Sequence, residues 1–297
     1  MFDGFSAATV EVGDTTIFVR RKGEGPPLLL LHGFPETHLM WRAVAPALAA
    51  NFTVLCADLR GYGASGAPES DDQHAPYAKR AMANDMVQLM QAQGFARFSV
   101  AGHDRGARVA YRMALDHPDR VERLALLDVI PTGEAFDRAD SRLTLDYWPW
   151  SLLAQPAPLP ERLLGANPEA VVDDALGGWG SDRASFPDTV RDAYVDALRD
   201  PAKLHAICEE YRAAATIDRK DDESDRRAGK RIICPTLLLW AEASGLDRWY
   251  DGGPLAIWKD WAENVTGRAM SGGHFFAEQN PGATIAALHQ FFRDSLR

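Results

Sequence analysis

Gly102-His103-Asp104-Arg105-Gly106-Ala107-Arg108 is the stretch on which the reading of the fold turns. The apolar run Phe98-Ser99-Val100-Ala101 leads into it, and Val109-Ala110-Tyr111-Arg112-Met113-Ala114-Leu115 leaves it with helical character. A strand, a tight Gly-x-Asp-x-Gly turn and a helix make a nucleophile elbow, which presents its central side chain at the edge of a sheet. Gly102 and Gly106 let strand and helix approach closely and let the residue between them take a strained backbone. Asp104 at the centre is chemically informative. A carboxylate nucleophile attacks saturated carbon and forms an alkyl ester on the protein, so the expected electrophile is a carbon–halogen or epoxide carbon rather than an acyl group. An Asp that merely caps the following helix is the competing reading, and the residues outside the elbow weigh against it.

The chain has 297 residues, a length that suits one large α/β domain or a core carrying an inserted subdomain. Its net charge of −10 argues against nucleic acid as a partner. No apolar run approaches the roughly 18 residues of a membrane span, and Met1-Phe2-Asp3-Gly4-Phe5 lacks the features of a signal peptide, so a soluble cytoplasmic protein is expected. Cys56, Cys208 and Cys234 are widely spaced and imply neither a disulfide nor a metal site, and Cys56 lies in an apolar strand.

Outward from the elbow, strands alternate with helices. Val10–Val12 and Thr16–Val19 read as a hairpin around Gly13-Asp14. Pro27 to Leu31 is continuously apolar, as expected of a strand buried on both faces of a parallel sheet. Trp41 to Ala50 reads as a helix, Phe52 to Cys56 as a strand, Met82, Met86, Leu89 and Met90 as a helical stripe, and Val121 to Leu127 as a further strand. From Thr132 to Asp225 the alternation stops. Trp, Pro and acidic residues dominate, and short helices inserted as a cap are expected there (residues 132–225), between core segments 1–131 and 226–297. The charged run Arg219 to Arg231 is expected to be the return linker, Cys234 to Trp240 resumes the sheet, and Ile285, Leu288, Phe291, Phe292 and Leu296 form one face of a C-terminal helix.

The candidate site assembles from strand ends. His274, in Gly272-Gly273-His274-Phe275-Phe276, sits in a tight loop after the last strand, placed to act as the general base that hydrolyses the ester. Asp128 ends a strand and is favoured over Glu242 and Asp247 as the acid that orients it. The backbone N–H groups of Phe34, in His32-Gly33-Phe34-Pro35, and of Arg105 suit an oxyanion hole. Arg105 and Arg108 are spaced i, i+3 at a helix N-terminus, where two positive charges are unfavourable unless an anion joins them. They imply a substrate carboxylate held by both; a salt bridge from Arg108 to a nearby acid is the alternative.

These residues resemble the haloacetate (fluoroacetate) dehalogenase family of the α/β-hydrolase superfamily. The likeness runs nearly end to end: His32-Gly33-Phe34-Pro35, Asp58 to Gly63, His103-Asp104-Arg105-Gly106, Met113 to Pro118, Gly178-Trp179-Gly180 and Gly273-His274-Phe275-Phe276. It implies an α/β-hydrolase fold, a mostly parallel doubly wound sheet with an inserted helical cap. It also implies displacement of halide from a small haloacid by Asp104, hydrolysis of the ester by His274 with Asp128 and water, no metal or cofactor, and a homodimer. The family's halide pocket maps onto Trp150 and Tyr211, and Trp179 onto the substrate entrance. The family's His in the Tyr-Trp-His-Trp segment is Pro149 here, in Tyr147-Trp148-Pro149-Trp150. Proline offers no donor, so chloroacetate and bromoacetate are expected to be handled better than fluoroacetate.

Two other readings stand beside this one. An epoxide hydrolase shares the nucleophile and base and uses tyrosine donors, for which Tyr211 and Tyr147 are the candidates, but the arginine pair does not suit a neutral epoxide. A catalytically silent hydrolase-fold binding protein has no need of a complete nucleophile, base and acid.

Overall fold

The computed structural model describes residues 1–293, so the expected place of Leu296 on the last helix lies outside the described residues. Eight strands form one sheet in the order β1-β2-β4-β3-β5-β6-β7-β8. They are β1 Ser6–Val12, β2 Thr15–Lys22, β3 Pro27–Leu31, β4 Thr53–Ala57, β5 Phe98–His103, β6 Val121–Leu127, β7 Thr236–Ala241 and β8 Val265–Met270. The β1–β2 hairpin is antiparallel and joins the sheet antiparallel to β4; from β4 across to β8 every pairing is parallel. The parallel strands at the centre are near-continuous apolar runs because helices cover both faces: Leu28 to Leu31 are fully buried, as is all of β4 and β5.

This register carries function. Leu31 lies opposite Gly102, His103 opposite Leu127, Leu127 opposite Leu239, and Ala241 opposite Met270. The carboxyl ends of β3, β5, β6, β7 and β8 therefore end side by side, and the residue that follows each one emerges on the same edge, where sites of open α/β sheets form. The segment expected to be a single helix after Trp41 is split into a 3-10 turn, His38–Ala43, and a short helix, Ala45–Leu48. Pro46 in the first turn of the second piece cannot donate back into the first.

Between β6 and β7 the described chain is helical. Proline stands in the first turn of several of its helices, including Pro149–Leu152, Pro168–Gly177 and Pro201–Ala213, where the missing N–H costs nothing. Asp140, Asn167 and Asp200 cap helices with their side chains. The expected linker is corrected by the structure. Pro201–Ala213 continues through a π-helical turn, Ala214–Asp218, into a helix, Arg219–Arg227. Its charges suit the helix dipole, with Asp221 and Asp222 in the first turn and Arg226 and Arg227 in the last. Asp222 is buried and accepts from the Tyr111 hydroxyl and the Gly133 N–H, both at 2.8 Å, so this helix is packed onto the core. No helix among the described residues is long and apolar enough to cross a membrane.

Candidate active site

Asp104 opens the helix Asp104–Asp116 directly after β5 with φ of 43°, a left-handed backbone that an Asp rarely adopts. The flanking glycines are required by contact. A Cβ on Gly102 would lie 2.4 Å from the Gly106 carbonyl oxygen, and one on Gly106 would lie 2.5 Å from that of His32. The Asp104 carboxylate accepts a hydrogen bond from the Phe34 N–H at 3.1 Å. Burial pushes its pKa up, but the charges of His274, Arg105, Arg108 and His103 overcome this and hold it below the usual carboxylate range. An ionised, buried carboxylate at an elbow is a nucleophile in its reactive form.

His274 and Asp128 meet: Nδ1 of the ring is 2.6 Å from Oδ2 of the carboxylate. The other carboxylate oxygen accepts from the Ala241 N–H at 2.8 Å and the Ser244 hydroxyl at 3.2 Å. Glu242 and Asp247 are exposed, and Asp247 accepts from the Trp240 indole, so neither reaches the imidazole's partner position. The glycines before His274 allow its loop to meet the cap. A Cβ on Gly273 would lie 2.2 Å from the Gly180 carbonyl carbon. The His274 N–H donates to the Trp179 carbonyl at 2.9 Å.

Asp104, Arg108, Asp128, Tyr147, Trp150 and His274 line one cavity, closed by Leu143, Leu246, Trp249 and Tyr250. Only about 20 Å³ of it is open to the centre of a water-sized molecule, so the cavity is narrow in this conformation. Trp179 lies outside it, lining a neighbouring cavity together with Tyr147 and Ser244. The Trp179 and Tyr147 rings stack at 5.2 Å and both pack edge-on against His274.

The two elbow arginines differ sharply. Arg105 is fully buried and held by Glu210, with Nη2 2.6 Å from Oε1 and Nε 2.8 Å from Oε2. Glu210 also pairs with Lys79, which bonds Asp218 at 3.2 Å. The salt bridge weighed for Arg108 thus belongs to Arg105. One Arg105 nitrogen, Nη1, has no hydrogen-bond partner. Arg108 donates to the Ile130 carbonyl at 3.0 Å and the Thr132 hydroxyl at 3.2 Å, leaves Nε unpartnered, and has no ion pair among the described residues. Burial and then the charge of Arg105 destabilise its cationic form, a cost that a bound anion relieves. Trp150 covers both guanidinium groups, at 5.4 Å from Arg105 and 4.4 Å from Arg108. Tyr211 stands one layer back, edge-on to Phe34 and 4.0 Å from the Arg105 guanidinium carbon. Pro149 is buried at the start of the helix that carries Trp150.

Several neighbours have no role assigned to them in the sequence reading. Glu36, His103, Glu210, Ser244, Trp249 and Tyr250 all flank or line the site. Glu36 adjoins the His32–Pro35 motif and His103 lies inside the elbow motif, which was the available signal; Glu210 comes from a distant helix and carries none. Among the described residues, no group of three His, Cys, Asp or Glu could hold a metal ion.

Residues 26–281 match the alpha/beta hydrolase fold family. A fluoroacetate dehalogenase from Burkholderia sp is 44% identical over 99% of this chain and 96% of its own length. A soluble epoxide hydrolase from Corynebacterium sp. (strain C12) is 32% identical, with 91% of each chain covered. The solved structure of an alpha/beta hydrolase from Nostoc sp PCC 7120 superimposes with a TM-score of 0.95 at 46% identity, covering 98% of this chain and 99% of that one. The chain belongs to the α/β-hydrolase superfamily and, within it, to the haloacetate dehalogenase family. It is an enzyme of the hydrolase class that acts on carbon–halide bonds.

Proposed function

We propose that this enzyme hydrolyses small haloacids, converting haloacetate to glycolate and halide, with Asp104 as nucleophile. One observation carries the reading: a buried ionised carboxylate, a guanidinium with no ion pair among the described residues and an imidazole–carboxylate pair face a single small cavity. Arg108 holds the substrate carboxylate, with Arg105 supplying its unpartnered Nη1 group. A carboxylate oxygen of Asp104 attacks the α-carbon, and the carbon–halogen electron pair leaves with the halide. Trp150, which lines the cavity, and Tyr211, one layer behind it, are the donors assigned to the leaving halide, and Trp179 is assigned to the entrance. His274 then takes a proton from water, and the resulting hydroxide adds to the ester carbonyl of Asp104. The N–H groups of Phe34 and Arg105 receive the oxyanion; Arg105 sits in the first helical turn, where a backbone N–H has no intrahelical acceptor. Collapse releases glycolate, which carries away the proton held by His274, and the hydroxyl proton left on Asp104 passes to bulk water, so one proton accompanies each halide. Asp128 stabilises the transient imidazolium.

Ion chromatography of halide released from fluoro-, chloro- and bromoacetate, with Asp104→Asn as control, tests this. Release that requires Asp104 supports it, and none from any of the three overturns it. The cavity-facing Tyr147, whose buried hydroxyl lies near Ser244 without a well-formed hydrogen bond, favours epoxide opening as the second reading. Diol formation from a neutral epoxide, without halide release, would select it.

A further inference from the structure

His103, the residue before the nucleophile, is completely buried, and both of its ring nitrogens face acceptors. Nδ1 lies 2.9 Å from Oε2 of Glu36, and Nε2 lies 2.9 Å from the backbone carbonyl oxygen of His274. A neutral imidazole has one donor and one acceptor nitrogen, so it satisfies only one of these contacts; an imidazolium satisfies both. The same Glu36 oxygen accepts the Gly33 N–H at 3.1 Å, in the turn that presents Phe34. Three segments of the site, the turn after β3, the elbow and the His274 loop, are thereby joined through one ring. The His103 and His274 rings lie 4.6 Å apart between centroids.

We propose that the His103–Glu36 pair is a positioning device for ester hydrolysis: a buried imidazolium that fixes the backbone of His274 and joins it to the elbow and to the turn after β3. This rests on the reading of His274 as general base. The surroundings make such a device useful. Asp104 from the elbow helix and Asp128 from the end of β6 bring two more carboxylates to this corner of the site beside Glu36, and a buried cation offsets their charge. The groups that face His103 are Glu36 from the turn after β3, Asp104, Asp128 and His274 itself. Burial works against the charged ring, but the carboxylates of Glu36, Asp104 and Asp128 outweigh it and raise its pKa to about 9. His103 is therefore a positioning residue, acting through His274 and not on the substrate.

Two measurements test this. Protein labelled with 15N-histidine is titrated by NMR, with the His103 ring assigned through contacts to Asp104 and His274. Both ring nitrogens are expected to carry protons at neutral pH and one to be lost near pH 9. A singly protonated His103 at neutral pH overturns the proposal, whatever the substrate. Halide release is then followed against pH for wild type, His103→Gln and Glu36→Gln, each checked for folding by circular dichroism. His103→Gln is expected to remove the alkaline limb of the profile, which the loss of the His103 proton near pH 9 produces in the wild type. A uniform loss at every pH, with the profile unmoved, means a structural role and overturns the proposal. Wild type that releases no halide overturns the haloacid reading instead, while the titration still decides the state of His103.

Discussion

Glu210 grips Arg105 along one edge, with Oε1 2.6 Å from Nη2 and Oε2 2.8 Å from Nε, both side chains fully buried. The charge of Arg105 is thereby matched inside the protein, and Arg108 is left as the cation with no ion pair among the described residues that faces the cavity. Arg108→Met is expected to raise KM for chloroacetate about ten- to a hundredfold, the loss of roughly 1.5–3 kcal/mol from a charged hydrogen bond. Glu210→Gln acts elsewhere. It leaves Arg105 and Lys79 short of a counter-charge in the interior and is expected to cost about 3–5 kcal/mol of stability in denaturant unfolding. An Arg108 variant with unchanged KM would return the carboxylate-binding role to Arg105.

The order of chemical steps predicts how two variants fail differently. Asp104→Asn lacks the nucleophile and is expected to release no halide. His274→Gln keeps the nucleophile but lacks the base, so it is expected to release about one halide per active site and stop, with the substrate carbon held on Asp104. Intact-mass spectrometry after incubation with chloroacetate reads the adduct directly. A His274 variant that turns over without an adduct would remove the ester intermediate.

Much of this site is legible in the sequence because its parts are local. Buried parallel strands are apolar runs, so Leu28–Leu31 and Phe98–Ala101 declare themselves, and Asp104 and Asp128 come directly after strands while His274 follows β8 within one loop. Cys56 is likewise found buried in β4. What escapes the sequence depends on long-range facing. Arg105 and Glu210 are 105 residues apart, and nothing local in a cap helix says which acid turns inward. The same blindness makes Arg219–Arg227 resemble a linker. Its nine residues hold no apolar side chain, and it docks through the buried carboxylate of Asp222 and ion pairs such as Arg112–Asp225 and Arg219–Asp137, which spacing does not reveal.

Pro149 bears on the halogen. It begins the helix whose next residue, Trp150, lines the cavity, and it brings no donor to the leaving atom. Fluoride is the poorest leaving group of the three and gains most from donors. Pro149→His is therefore expected to raise fluoroacetate turnover about ten- to a hundredfold, the kinetic equivalent of a charged hydrogen bond of roughly 1.5–3 kcal/mol, with a smaller effect on bromoacetate. Comparing kcat for the two substrates in purified wild type and variant checks it. Equal fluoroacetate rates would mean that the other donors already suffice.

Asp222 allows a stability prediction independent of catalysis. Burial raises its pKa to about 6, against the lowering pull of the Gly133 N–H, Arg112 and the Tyr111 hydroxyl. A carboxyl raised above its unfolded value binds a proton more tightly in the folded state. Its contribution is neutral below about pH 4, turns unfavourable as pH rises toward 6, and at neutral pH amounts to roughly 3 kcal/mol, given about 1.4 kcal/mol per unit. Asparagine keeps an acceptor for Gly133 and Tyr111 and has no charge to desolvate. Asp222→Asn is therefore expected to stabilise the protein at neutral pH and to flatten the stability profile between about pH 4 and 6. Urea unfolding at several pH values measures this. A variant less stable than wild type at neutral pH would mean that the ion pair with Arg112, 3.9 Å away, outweighs the desolvation of the carboxylate.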